Sequence, residues 1–201
     1  MNAHEPIGHA WRPLEADAES ISRQFSQPLM ALANGTVPAF VLRGAYPSGD
    51  CTDLMARFTE RGYFSPDTVA RESQLSGGPY LDLGTSLGRM GADRDEFFAH
   101  ADRTHALFPR LFAGLADPVQ TIYRNLAQLA AGKTVKTAEE VDGRRYGPAI
   151  FRIYHGQEGH KAHIDSARRR TKSEYAVSRF AHQFAGILCV LQGCVVRVTT
   201  V

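Results

Sequence analysis

Two histidine–carboxylate pairs in this sequence have the spacing of a metal chelate: His100-Ala-Asp102 and His163-Ile-Asp165. Such a pair can supply two ligands of an O₂-activating Fe(II) centre, which binds two histidines and one carboxylate on one face and keeps the other face open. The chemistry needs extended backbone, because only there do residues i and i+2 point the same way. With 8 histidines and 21 acidic residues in 201 positions, chance alone gives about 0.8 such pairs per chain. On spacing alone, a loop histidine beside an unrelated aspartate explains His163 better than a ligand does. The surroundings separate the two pairs. His100 and Asp102 sit in a run of helical periodicity, where i and i+2 diverge by about 200° and cannot meet at one ion; that pair reads as polar residues on an exposed helix surface. His163 and Asp165 follow the glycine-flanked turn His155-Gly-Gln-Glu-Gly159 and carry no helical pattern.

The elements that would position them are partly legible. Residues 1–35 read as a loosely ordered N-terminal segment, with a short helix around Glu15–Gln24, and residues 36–201 as one domain. Pro38-Ala-Phe-Val-Leu-Arg43 is an apolar run bounded by proline and glycine, which predicts a buried strand. Asp50 reads as the N-cap of the helix that follows, with Leu54, Met55 and Phe58 as its apolar stripe and Gly62 as its stop. The glycine-rich stretch 73–92 predicts loop with a short strand at Tyr80–Leu83. It lacks the pattern of a phosphate loop. Asp93 with Glu96 resembles a capping box, and Asp117-Pro118 opens a second helix with Ile122, Leu126 and Leu129 on one face. These two helices read as an antiparallel pair. Ala149–Tyr154 predicts a strand, residues 161–165 a second strand or its end, and 180–190 strand throughout.

The stretch Tyr146-Gly-Pro-Ala-Ile-Phe-Arg-Ile-Tyr154, its glycine turn and His163-Ile-Asp165 together resemble the Fe(II)/2-oxoglutarate-dependent dioxygenases. There an Arg-x-Tyr strand leads through a turn into the metal motif. The upstream Phe40–Tyr46 strand, the helix after it and the helical middle are similar in a general way. The resemblance implies an α+β fold: a partial double-stranded β-helix (jelly-roll) core with an N-terminal strand–helix and a helical hairpin insert. It implies His163 and Asp165 as metal ligands, Fe(II) as cofactor, and 2-oxoglutarate as the co-substrate converted with O₂ to succinate and CO₂. Arg152 and Tyr154 share a sheet face and are candidates to contact 2-oxoglutarate; the outer or core face explains them equally well. Halogenating members of the superfamily hold a small residue where Asp165 stands, so the resemblance implies hydroxylation of a small-molecule substrate. His155 and His160 fit turn histidines better than ligands.

The resemblance also implies a distal histidine and an Arg or Lys anchor several strands downstream. Only 36 residues follow Asp165, with His182 as a weak candidate for the third ligand and Arg197 as the one late arginine. The expectation is therefore an incomplete, C-terminally truncated oxygenase-like domain with impaired activity, prone to self-association through unpaired strand edges. An inactive oxygenase-like fragment serving as an interaction module is the first alternative. Nucleic-acid binding through Arg168-Arg-Arg170 and Lys172 is the second, weakened by a net charge of only +2 and by the lack of an aromatic platform. No apolar run approaches the length of a membrane span, no secretory signal opens the chain, and three cysteines do not make a disulfide framework. These readings place the protein in a reducing cytoplasm.

Overall fold

The computed structural model describes residues 12–65, 67–68, 80–154, 166–170, 175–190 and 195–200. It is a mixed α+β structure. The larger sheet has four strands in the order β1-β2-β6-β5, namely Leu14–Glu15, Phe40–Leu42, Val195–Thr200 and Phe184–Cys189. The smaller one pairs β3 (Tyr80–Gly84) with β4 (Ile150–Tyr154) in antiparallel register. A jelly-roll closure is not seen among the described residues.

Strand β2 is apolar at every position because it is covered on both faces: Phe40, Val41 and Leu42 are all buried. It runs parallel to β1 and antiparallel to β6, with Phe40 opposite Val198, itself fully buried. Residues 12–35 supply β1 and two helices, α1 (Ala18–Gln24), where a short helix was expected around Glu15–Gln24, and α2 (Pro28–Ala33), which was not expected. Asp17 caps α1 by accepting from the Ser20 N–H at 2.8 Å. Ile21 and Leu32 from these helices join Phe40, Leu42, Leu129 and Val198 in one core cluster.

Helix α3 (Ser48–Glu60) begins two residues before the cap expected at Asp50, with Pro47 preceding it. The Asp50 carboxylate accepts instead from the Ala116 N–H at 2.9 Å. Tyr46 donates to the Ala116 carbonyl at 2.6 Å, and Arg57 donates to the Leu111 and Ala113 carbonyls. Three side chains around α3 thus grip the turn between the two middle helices. The Tyr46 hydroxyl is pushed up to about 12 by burial, helped by the Asp50 and Asp117 charges.

After the short helix α4 (Leu87–Met90) comes α5 (Arg94–Leu111), capped by Asp93 as expected, and then α6 (Pro118–Leu129), capped by Asp117. The end of α5 and the start of α6 share one core cluster, Phe108 and Leu111 with Val119 and Tyr123. Helix α5 lies against α4 and β3, whereas α6 lies against α1 and β5. On the apolar face of α6, Ile122 and Leu126 meet Gly186 of β5 so closely that an added Cβ would stand 2.7 Å from Ile122. The expected strand at 180–190 is confined to Phe184–Cys189, preceded by a 3₁₀ turn at Ala176–Arg179. Cys51 is disulfide-bonded and Cys189 is a free thiol. No helix among the described residues is long and apolar enough to cross a membrane.

Candidate metal centre and its supports

The β3–β4 pair carries the chain to the His163–Asp165 stretch. Its two faces differ in chemistry. Leu83, Phe151 and Ile153 lie against Phe58, Phe108 and Phe112 in an aromatic cluster. Phe151 sits edge-on to Phe58 and Phe108, at centroid distances of 5.5 and 5.6 Å. The register places Asp82 opposite Arg152 on the other face. There Arg152 Nε donates to Asp82 Oδ1 at 2.7 Å and Nη2 to Oδ2 at 3.0 Å. The Asp82 side chain is 5% exposed and that of Arg152 28%. Sequence reasoning singled out Arg152 but missed Asp82, which lies 70 residues away.

At the lower end of β3, Gly84 has φ +122° and would bring a Cβ to 2.4 Å from the Ala149 carbonyl oxygen. Thr85 follows, and its hydroxyl lies 2.9 Å from His100 Nδ1 and 2.7 Å from the Thr104 hydroxyl. His100 is therefore not the exposed polar residue expected: it joins α5 to the end of β3, and burial, with Arg103 nearby, lowers its pKa. Asp102 stays exposed, and the two side chains do not converge, as the helical reading required.

His163, Asp165, His155, His160 and Lys172 lie outside the described residues, as do the side chains of Tyr154, Arg169, Arg170 and Arg197. The chain is described again immediately after the motif. Helix α7 (Ala167–Arg170) packs near α4 and the 3₁₀ turn. The Ala167 N–H donates to Gln183 Oε1 at 2.9 Å, which folds the segment carrying His182 back toward the residues that follow Asp165. His182 itself is exposed, with its ring 6.3 Å from that of Phe184. Arg168 is exposed.

The return segment is anchored by Glu140, which the sequence did not mark. Its carboxylate accepts from the Tyr146 hydroxyl, from the Ala176 N–H at 2.9 Å and from Arg94 Nη2 at 2.9 Å. Burial pushes Glu140 up, but these three donors outweigh it and hold the carboxyl below its ordinary value. Burial and the Glu140 bond raise Tyr146. Phe97, Phe98, Tyr146 and Tyr175 pack around this network, and the Arg94 guanidinium lies 5.4 Å from the Phe98 ring centroid. Among the described residues, no group of three His, Cys, Asp or Glu side chains comes together as a metal site.

The family described as "Carrier-protein-independent halogenase WelO5" matches residues 11–182 of the chain. The chain belongs to the WelO5 family. This is a family of Fe(II)- and 2-oxoglutarate-dependent enzymes within the oxygenase superfamily that the Arg-x-Tyr strand and His-x-Asp motif resemble. The WelO5 match takes in β1 to β4, the described helices and the His163-Ile-Asp165 stretch, and stops before β5 and β6. No curated protein matches the chain.

Proposed function

We propose that this WelO5-family chain is an Fe(II)- and 2-oxoglutarate-dependent oxygenase of hydroxylase type, acting on a small molecule. The observation that carries the reading is Asp165, a carboxylate at the position where halogenating members hold a small residue. A ligating carboxylate there occupies the place a halide would take. The donors fit the metal: imidazole and carboxylate are N and O ligands suited to non-haem Fe(II). His163 and Asp165 would hold the ion, and Asp165 would also offset part of its charge. Bound Fe(II), with 2-oxoglutarate and O₂, supplies the oxidising power.

The remaining contributions belong to the chain itself. Strand β4 delivers extended backbone toward the motif, held in register by β3. Arg152, paired with Asp82 and partly exposed, and Tyr154 are the strand's candidates to contact 2-oxoglutarate. The Ala167–Gln183 bond brings the His182 segment to the residues that follow position 165, and His182 is the weak candidate for the third donor. The architecture that goes with this chemistry is a partial double-stranded β-helix.

Anaerobic titration with Fe(II) and 2-oxoglutarate tests the reading. A weak visible charge-transfer band should appear, be lost in His163→Ala, and stay unchanged by added chloride or bromide. Asp165→Gly should make the band halide-sensitive. A wild-type chain without the band, or with one that halide already shifts, overturns the proposal.

A further inference from the structure

We infer that the cleft between α5, α6 and the chain entering β4 binds a small zwitterion, an α-amino acid with a short aliphatic side chain. The cleft has a volume of about 230 Å³. That is below the roughly 300–1,000 Å³ of pockets for drug-sized ligands, so its occupant is small. Opposite charges line it: Asp117, at the start of α6, and Arg145, on the bridge before β4. Neither makes an ion pair, with the other or with any other side chain among the described residues. A ligand that carries both charges can satisfy the two groups together.

Each end of the cleft has groups to spare. Asp117 caps α6 through Oδ1 alone, which accepts from the Val119 and Gln120 N–H groups at 2.8 and 3.1 Å; Oδ2 is left for an ammonium. His105 also lines the cleft. Its Nε2 lies 2.8 Å from the Tyr146 carbonyl oxygen. A carbonyl only accepts, so Nε2 carries the proton, and Nδ1 of the neutral ring is a further acceptor. At the other end, Arg145 differs from its neighbour Arg144, which holds Asp142 and Asp95 at 2.7 and 2.8 Å. Adjacent residues in extended chain face opposite ways. Arg145 thus keeps the paired donors with which a guanidinium grips a carboxylate. Phe108, Val119 and Pro148 supply an apolar lining that suits an aliphatic side chain. The walls are built before any ligand arrives. Tyr123 donates to the Pro148 carbonyl at 2.7 Å and accepts from the Thr137 hydroxyl at 3.2 Å. This tie to α6, and the His105 tie to α5, leave little to be ordered on binding.

The test is equilibrium dialysis of the full chain, without iron, against labelled L-valine, isovalerate (which lacks the ammonium) and isobutylamine (which lacks the carboxylate). Losing a bond to a charged group weakens binding by roughly tenfold or more. L-Valine should bind at one site, and each of the other two should bind weaker by about that factor. Arg145→Gln should weaken L-valine and isovalerate to that extent but not isobutylamine. Asp117→Asn should weaken L-valine and isobutylamine but not isovalerate. Asparagine caps a helix as well as aspartate does, and Arg145 is exposed, so both variants should fold. No binding of L-valine, or binding that both variants leave unchanged, overturns the inference. So does isovalerate or isobutylamine binding as tightly as L-valine, which marks a site for one charge only. If Asp117→Asn does not fold, the three ligands on wild type and Arg145→Gln decide. Neither result bears on the oxygenase reading, because the site needs no iron and no 2-oxoglutarate.

Discussion

Replacing Glu140 by Gln isolates one bond in the network that ties the return segment to the helical middle. The carboxylate oxygen Oε1 receives Tyr146 and the Ala176 N–H, while Oε2 receives Arg94. Glutamine keeps an acceptor for the first two and turns an amide N–H₂ toward the guanidinium, so a donor meets a donor. A hydrogen bond to a charged group is worth roughly 1.5–3 kcal/mol. The Arg94 side chain is 33% exposed and water softens the loss. Against that, Arg94 Nε is buried with no hydrogen-bond partner among the described residues, so the arginine depends heavily on Oε2. The expected cost is about 2 kcal/mol, or a fall of roughly 4–8 °C in melting temperature for a domain of this size. Glu140→Ala should cost more, about 3–5 kcal/mol, because Tyr146 and the Ala176 N–H lose their acceptor as well. The sign with pH follows from the depressed carboxyl. Its contribution is complete above the ordinary glutamate value of 4.5 and fades as pH falls through the lower folded value. Urea unfolding of wild type and Glu140→Gln between pH 7 and 3 should therefore show two curves that converge in acid. A gap that is constant with pH, or below about 0.5 kcal/mol at pH 7, refutes the electrostatic account.

Gly84→Ala should destabilise by at least about 2 kcal/mol in urea unfolding, since both its φ and the Ala149 carbonyl at 2.4 Å exclude a side chain; a neutral result would mean that β3 and β4 meet less closely. Phe151→Ala should cost about 3 kcal/mol by removing the ring shared by Phe58, Phe108 and Phe112, and the same melt shows whether it does. Among the described residues strand β5 ends its sheet, and Ile187 on it is 50% exposed. Sedimentation should therefore show concentration-dependent self-association that Ile187→Lys reduces. An unchanged profile in the variant argues against pairing at this edge.

What could be read beforehand and what could not divides by the range of the interactions that decide it. The caps at Asp93 and Asp117 each accept from N–H groups two and three residues on, and strand β4 has its β-branched and aromatic residues in one run. Those signals are local, so the sequence displays them. Asp50 has the composition of a cap too, but its carboxylate is drawn to the Ala116 N–H, 66 residues away, and no local pattern announces that competitor. Helix α6 is placed for a related reason: its face is complementary to Gly186, a contact made only once β5 has been laid beside β6. The candidate site repeats the division on a smaller scale. His163 and Asp165 are marked by type and spacing, which are properties of adjacent residues. Asp82 and Glu140, which hold Arg152 and the return segment, owe their roles to strand register and to a buried network. Ligating residues are constrained by the chemistry of the ligand they hold and so leave a recognisable type. A supporting residue needs only a charge at the right point in space, and many sequence positions could have provided it.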